Sequence, residues 1–442
     1  IEYQNEMLII DVGLAFPEED MLGVDIVIPD FTFVLENRQR VRCILLTHGH
    51  EDHVGGLPYL LRELDVPVFG TRLTLGLVRE KLREFELDLH PGSREIVPGE
   101  WFELGCFRIL PFRVTHSIPD SVGYAIETPV GIVVHTGDYK FDQTPVDDQR
   151  PDYGLLAELG RRGVLVLLGD STNAEREGIT PSERTVGRVI DDVLSRAPGR
   201  VFLATFASNV HRLQQVITAA GRLGRKVAVV GRSMENTVRV ARDLGYLKDP
   251  GGVLVDLEDL RRLEPSRCVI LTTGSQGEPM SAMTRLSTGE FRRLEIVPGD
   301  TVVFAATPVP GNEKLVHRTI DNLFRQGATV IYGPDAGVHV SGHGSREELK
   351  LMINLVRPRF LVPIHGEYRH LIRHAELARD AGIPEERILI GGNGDVFRFD
   401  GENGNVTGEL SAEGVLVDGL GVGDVGQVVL RDRKQLAQDG LL

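Results

Sequence analysis

The chain has 442 residues, 41% hydrophobic and 26% charged, with a net charge of −15 at pH 7. These totals describe an ordinary globular chain long enough for two domains. No apolar run in the sequence reaches membrane-spanning length, and the acidic balance disfavours non-specific nucleic-acid binding while leaving room for a local basic groove.

Taken in order, the start I-E-Y-Q-N-E-M has no charged segment leading into an apolar one, so no secretory signal is read. It also lacks an initiator Met, so residues are expected upstream. Short apolar runs read as buried strands and 3.6-residue periodicity as amphipathic helices. M-L-I-I-D is a strand ending on Asp11, and C-I-L-L-T is a strand leading to the cluster T-H-G-H-E-D-H. H-V-G-G-L-P-Y-L-L then opens a helix. F-R-V-T-H-S ends a strand near His116, G-I-V-V-H-T-G-D ends one at Asp138, and V-L-V-L-L-G-D ends one at Asp170. From residue 183 to 349 the pattern changes. V-F-L-A-T-F-A-S-N, K-V-A-V-V-G and C-V-I-L-T-T-G-S belong to strand–helix–strand units poor in histidine, as in a doubly wound nucleotide-binding-like unit. Histidines resume at His339, and F-L-V-P-I-H-G-E carries His365. The middle segment therefore reads as an insertion into a larger domain, with bounds 1–182, 183–349 and 350–430. Residues 431–442 read as a linker toward a further domain. Cys43, Cys106 and Cys268 are odd in number and far apart, which argues against a disulfide framework and a thiolate metal site and fits a cytoplasmic setting.

The cluster carries the chemistry. A lone histidine in such a loop reads best as a solvated polar residue, but His48, His50, Asp52 and His53 within six positions do not. His48 and His50 point the same way from an extended loop and suit one ion, and Asp52 and His53 suit a second. Imidazole and carboxylate without thiolate favour Zn²⁺ or Mn²⁺. His116, Asp138 and His365, each at the end of an apolar run, complete two ligand sets that share one carboxylate. Asp11 is expected to orient a ligand histidine.

With these residues in view, the chain resembles the metallo-β-lactamase superfamily, whose signature is H-G-H-E-D-H. G-D-S-T-N-A-E (169–175), H-V-S-G-H-G-S (339–345) and P-I-H-G-E (363–367) resemble the three extra motifs of the β-CASP nucleases. Together with T-F-A-S-N-V-H-R (205–212), they are similar to the ribonuclease J family over nearly the whole chain. The resemblance implies an α/β fold, a metallo-β-lactamase αββα sandwich with an inserted Rossmann-like β-CASP domain. It implies two-metal hydrolysis of RNA phosphodiesters, 5′-to-3′ from the end and also internally, in RNA decay and in rRNA and mRNA processing. It implies a homodimer or tetramer in the full-length protein and association with RNA-degradation partners.

Within that frame His343 is the expected proton donor, Asp170 the acid that holds a neighbouring histidine charged, and Asp52 a catalytic ligand. A pocket for a 5′-monophosphate is expected from Ala207, Ser208 and Asn209 with His339, Val340, Ser341, Gly342 and His343, Gly342 letting phosphate approach the backbone. Three rivals stand beside this reading. A DNA-processing β-CASP nuclease typically has Val at the position of His365. A thioester or lactam hydrolase lacks the inserted domain. A non-catalytic subunit loses metal ligands. Separately, Gly23, Asp25 and Asp418 in Gly-containing loops are candidates for a structural Ca²⁺ or Mg²⁺ site, with two solvated turn aspartates as the equal alternative.

Overall fold

The computed structural model describes residues 1–439 apart from Glu19, Asp20, Pro279, Pro310 and Leu420. Two sheets lie face to face. The first runs Glu2–Tyr3, Glu6–Ile10, Val41–Leu45, Val68–Gly70, Arg94–Glu95, and the second Pro358–Ile364, Val164–Asp170, Ile132–His135, Val122–Glu127, Phe107–Arg113, Phe102–Leu104. Leu8, Leu45, Phe107, Ile109, Tyr124 and Ile126 fill the space between them. Helices close both outer faces: Leu57–Leu61 and Arg72–Glu84 on the first sheet, and Tyr153–Arg162, Arg346–Val356 and Tyr368–Asp380 on the second. Strands buried on both faces need continuous apolar runs rather than alternation. That is why V-L-V-L-L and F-L-V-P-I read so clearly as strands.

The inserted segment builds a third sheet, wholly parallel, in the spatial order Lys226–Val230, Cys268–Thr272, Val201–Ala204, Thr301–Phe304, Thr329–Ile331. In chain order this is 2-3-1-4-5, a doubly wound arrangement with helices on both faces. The return into the first domain is complete by Ser345: the helix Arg346–Val356 buries Leu349, Met352, Ile353 and Val356 against the first domain's helices. A bound at 349 would cut that helix. The segment read as a linker is helical, Gln427–Asp439, and residues 440–442 lie outside the described residues. No helix among the described residues is long and apolar enough to cross a membrane.

Glu348 ties the return to the first domain. Its carboxylate is buried and accepts the N–H groups of Phe141 at 2.7 Å, Thr180 at 2.7 Å and Ser345 at 2.8 Å. Glu348→Ala leaves three buried donors without a partner. We expect it to cost on the order of 3 kcal/mol, read from the urea midpoint. Arg196→Ala, which removes an exposed ion pair to Asp192, should leave the midpoint unchanged.

Candidate metal centre

The site is assembled from loops leaving the carboxyl ends of strands in both sheets. Thr47–His50 follows Val41–Leu45. His50 caps the short helix Glu51–Val54, so Asp52 and His53 stand on one helical turn. His116 and Asp138 each lie three residues beyond a strand, after Phe107–Arg113 and Ile132–His135. His365 directly follows Pro358–Ile364, and Asp11 directly follows Glu6–Ile10. Both take left-handed backbone angles, with φ of 54° and 60°.

These loops bring all seven sequence-derived ligand candidates together. One group is His48, His50 and His116; the other is Asp52, His53, Asp138 and His365. In each, the potential ligand atoms lie within 4.8 Å of one another. Asp138 reaches both groups, 3.8 Å from Nε2 of His48 and of His116, 3.2 Å from His53 and 3.5 Å from His365.

The ring orientations are set from behind. Asp11 Oδ2 accepts from His53 Nδ1 at 2.7 Å, and the same carboxylate accepts the Thr47 hydroxyl and N–H. The Gly342 carbonyl accepts from His116 Nδ1 at 2.9 Å. The Thr172 hydroxyl lies 3.0 Å from His365 Nδ1. In each case Nε2 is left facing the centre, whereas His50 turns Nδ1 inward, 3.0 Å from His48 Nε2 and 3.2 Å from His116 Nε2.

This donor set fits divalent ions. His53 Nε2 is buried and, although 3.2 Å from Asp138 Oδ2, has no hydrogen bond of good geometry, an arrangement rare in native proteins unless a further group completes it. Burial pushes the His48 and His116 pKa values well below the ordinary histidine value and that of His50 down to about 4, which favours the neutral, ligating form. At His53 and His365, by contrast, burial is outweighed by Asp138 and other neighbouring carboxylates, which hold both well above the ordinary value. Nitrogen and oxygen donors without sulfur suit Zn²⁺ or Mn²⁺.

His343 stands beside this centre. Its Nδ1 donates to Asp170 at 2.8 Å, and its Nε2 lies 3.9 Å from Asp138. Burial acts to lower its pKa, but the Asp170 and Asp138 carboxylates outweigh burial and hold it above the ordinary value. Burial also works against the Asp170 charge, yet the paired His343 holds Asp170 well below the usual carboxylate range. The turn carrying His343 is pinned by Asn173, whose side-chain amide donates to Ser341 Oγ at 2.9 Å and to the His343 carbonyl at 2.8 Å, and by the Thr180 hydroxyl at 2.7 Å.

The residues expected for a 5′-phosphate pocket divide. Ala207 and Ser208 line a cavity of about 350 Å³ between the first domain and the carboxyl ends of the third sheet, alongside Gly49, Lys81 and Gln276. Asn209 is buried and caps the helix Val210–Arg222. His339 takes a hydrogen bond from Arg212 at 3.1 Å, and burial, with that guanidinium, pushes its pKa down to about 3. Val340 packs on the core of the inserted domain. A Cβ on Gly342 would meet the His116 ring at 2.5 Å. The absence of a side chain at Gly342 therefore serves its contact with His116.

The candidate calcium loops also meet, but Asp418 pairs with Arg433 at 2.6 Å and Asp25 accepts the Gly419 N–H at 2.8 Å. Arg433 also lies against Gly23, its Nη1 2.6 Å from where a Cβ would stand. The positive charge between these loops is that guanidinium. Sequence reasoning quoted the motifs containing Thr47, Thr172 and Asn173 but gave these residues no task. Their role depends on partners distant in the chain, which spacing does not reveal.

Three family models match the chain: the metallo-beta-lactamase superfamily over residues 1–231, the ribonuclease J beta-CASP domain over 198–323, and the Zn-dependent metallo-hydrolase RNA specificity domain over 336–387. Among curated proteins, the chain is 48% identical to ribonuclease J of Synechocystis sp., over 100% of this chain and 69% of that protein. It is 48% identical to ribonuclease J of Thermus thermophilus, covering 78% of it, and 46% identical to ribonuclease J2 of Bacillus subtilis, covering 80%; each match spans 100% of this chain. A crystal structure of a protein of unknown function from Enterococcus faecalis superposes with a TM-score of 0.59 at 15% identity, over 94% of this chain and 95% of that one, and so shares the fold.

Metal analysis tests the centre. The purified protein should hold about two divalent ions per chain. Asp138→Asn should lose both. Asp11→Asn, which removes only the orienting charge behind His53, should weaken retention by about 10–100-fold. Wild-type protein with only trace metal, and no uptake of added Zn²⁺ or Mn²⁺, would sink the assignment.

Proposed function

This chain belongs to the ribonuclease J family, and from that premise we propose that it is a metal-dependent ribonuclease, cutting RNA from the 5′ end and internally, in RNA decay and rRNA and mRNA processing. The observation that carries the reading is the convergence of seven histidine and aspartate ligand atoms beside the His343–Asp170 pair, next to a cavity between two domains.

His48, His50 and His116 would hold one ion and Asp52, His53 and His365 the other, with Asp138 between them. When bound, the ions supply Lewis-acid charge at the phosphodiester and acidify water near neutral pH. The protein's own groups do the rest. Asp11, Thr172 and the Gly342 carbonyl fix the imidazole rings, which leaves their inward nitrogens pre-set. Asp170 holds the Nδ1–H of His343, so His343 Nε2 faces the centre and gives its proton to the leaving oxygen. The imidazolium also offsets charge growing on the phosphoryl oxygens. Histidine at position 365 favours RNA over the DNA-processing branch.

The 5′-monophosphate is read by neutral donors of the cavity, Ser208 foremost, aided by backbone N–H groups. Residues up to 182 and from the return onward form the metallo-β-lactamase domain, with the β-CASP domain between. Assembly as a homodimer or tetramer, partners in RNA degradation and a cytoplasmic location follow from the family reading.

His343→Ala should keep both ions and lose about 10²–10⁴-fold in kcat, because it removes a proton donor without touching the ligands. Loss of metal in that variant would move His343 into the ligand set. Ser208→Ala should weaken digestion of linear 5′-monophosphorylated RNA by about tenfold or less while sparing cleavage of circular RNA, since one neutral hydrogen bond is at stake. Equal losses on both substrates would leave Ser208 outside the recognition of the 5′ end.

A further inference from the structure

A domain inserted into another is joined to it by two crossings. Here the entry passes through Pro181 and Glu183 into the helix Arg184–Arg196, and the return passes through His339 and Ser341 into the His343 turn. Two buried cations each span both crossings. Lys140, 1% exposed, donates to the Pro181 carbonyl at 3.0 Å and the Ser341 carbonyl at 3.1 Å. Arg212, fully buried, bonds both carboxylate oxygens of Glu183 at 2.9 Å and donates to His339 Nδ1 at 3.1 Å. Lys140 comes from the first domain, two residues past Asp138, and Arg212 from the inserted domain's helix Val210–Arg222.

The return crossing is also the wall of the metal centre. Ser341 precedes Gly342, whose carbonyl orients His116, and His343 follows. The neighbouring Tyr139 carbonyl accepts the Gly344 N–H at 2.6 Å. A buried ammonium is unfavourable unless bonded and paired. The carboxylate nearest Lys140, Asp142, is 3.9 Å away, so two of its three protons are given to carbonyls of the crossings. An apolar side chain would fill the space without that cost.

We propose that Lys140 and Arg212 form a two-point latch across the interdomain crossings, and that Lys140 is a positioning residue: through the Ser341 carbonyl it holds the Ser341–His343 turn against the metal ligands. His116 is thereby oriented and His343 faces the centre. The functional part of this inference rests on the metal-dependent reading above; the latch itself does not.

The test uses the full chain with Lys140→Met and Lys140→Arg. Lys140→Met should speed amide exchange at residues 339–345 in metal-free protein, with exchange in the strand Val41–Leu45 unchanged. In the Zn²⁺-loaded protein kcat should fall by about 10²-fold, the scale of a small misplacement of a reacting group, with KM for a short 5′-phosphorylated RNA little changed. Zn²⁺ affinity for one equivalent, measured against a chromogenic chelator, should weaken by about tenfold. Lys140→Arg, which keeps a cation able to reach both carbonyls, should recover most of each loss. A Lys140→Met protein that melts earlier but keeps wild-type kcat and Zn²⁺ affinity would overturn the proposal. Faster exchange at 339–345 in a protein whose wild type takes up no Zn²⁺ would support the latch and reject the metal reading. Should Lys140→Met fail to fold, wild-type protein decides: added Zn²⁺ should slow exchange at 341–344 through the Gly342–His116 contact, and unchanged exchange there overturns the coupling.

Discussion

The Asp138 carboxylate is the constraint from which the rest of the site follows. It is 2% exposed, and a buried, unpaired carboxylate is among the costliest features a fold can carry. The structure surrounds it with ring nitrogens of five histidines, from His53 at 3.2 Å to His343 at 3.9 Å. Burial works against its charge, but His365, His53 and His343 overcome that and hold its pKa well below the usual carboxylate value. Two divalent ions would supply the same compensation more completely and would also engage the inward nitrogens of His48, His50 and His116. The arrangement fits a cation cage.

Building that cage fixes the architecture. The ligands come from strand ends in two different sheets, so both sheets must end at the same rim. Residues must also turn sharply there without losing their side chains. Asp11 and His365 do so at positive φ, a conformation that costs a non-glycine residue about 1 kcal/mol or more and persists only where surrounding contacts impose it. Asp11 is held by Thr47 and His53, and His365 by Thr172. The same contacts that orient the ligands therefore retain the strain. His343 stands outside this logic. It is delivered by the return from the inserted domain, so the proposed proton donor and the proposed ligands reach their positions by independent routes, which the proposed latch would register.

Much of this was readable in the sequence. Four ligand candidates, His48, His50, Asp52 and His53, stood out as a dense cluster in a histidine-poor chain, and His116, Asp138 and His365 because each stood at the end of an apolar run. An α/β fold with a doubly wound insertion followed from strand–helix alternation and the change in histidine content, whereas the αββα layering was implied only by the resemblance to the metallo-β-lactamase superfamily. The strands Phe102–Leu104 and Val122–Glu127 were not read, since F-E-L is short and V-G-Y-A-I-E carries a glycine inside it. The roles of Asn173, Thr180, Lys140 and Arg212 were not readable either. Each contributes through carbonyls and side chains more than 25 residues away, and no local pattern marks a residue whose partner is set by topology. At Gly342 the need for small size was legible, but its close contact with the His116 imidazole was not.

The acidic balance of the chain poses a last question, because the proposed substrate is a polyanion. The cavity beside the centre does not answer with a basic stripe. Its Lys81 is paired with Glu51 at 2.5 Å, and Glu80 is paired with Arg239 at 2.5 Å, so these charges largely cancel. Burial raises the pKa of Glu278. The lining also carries Glu84, which accepts from the Asn236 amide, and the neutral hydroxyls of Ser208, Ser233 and Ser275. Positive charge offered to a phosphate would then come from the centre itself, from bound ions and from His343. Affinity spread over many lysines would hold RNA anywhere along its length and fall steeply with salt. Charge confined to one point favours the phosphate that sits at the reaction position, and neutral donors around it discriminate by geometry. A net charge of −15 is thus compatible with RNA as substrate: it suppresses binding where no bond is to be cut.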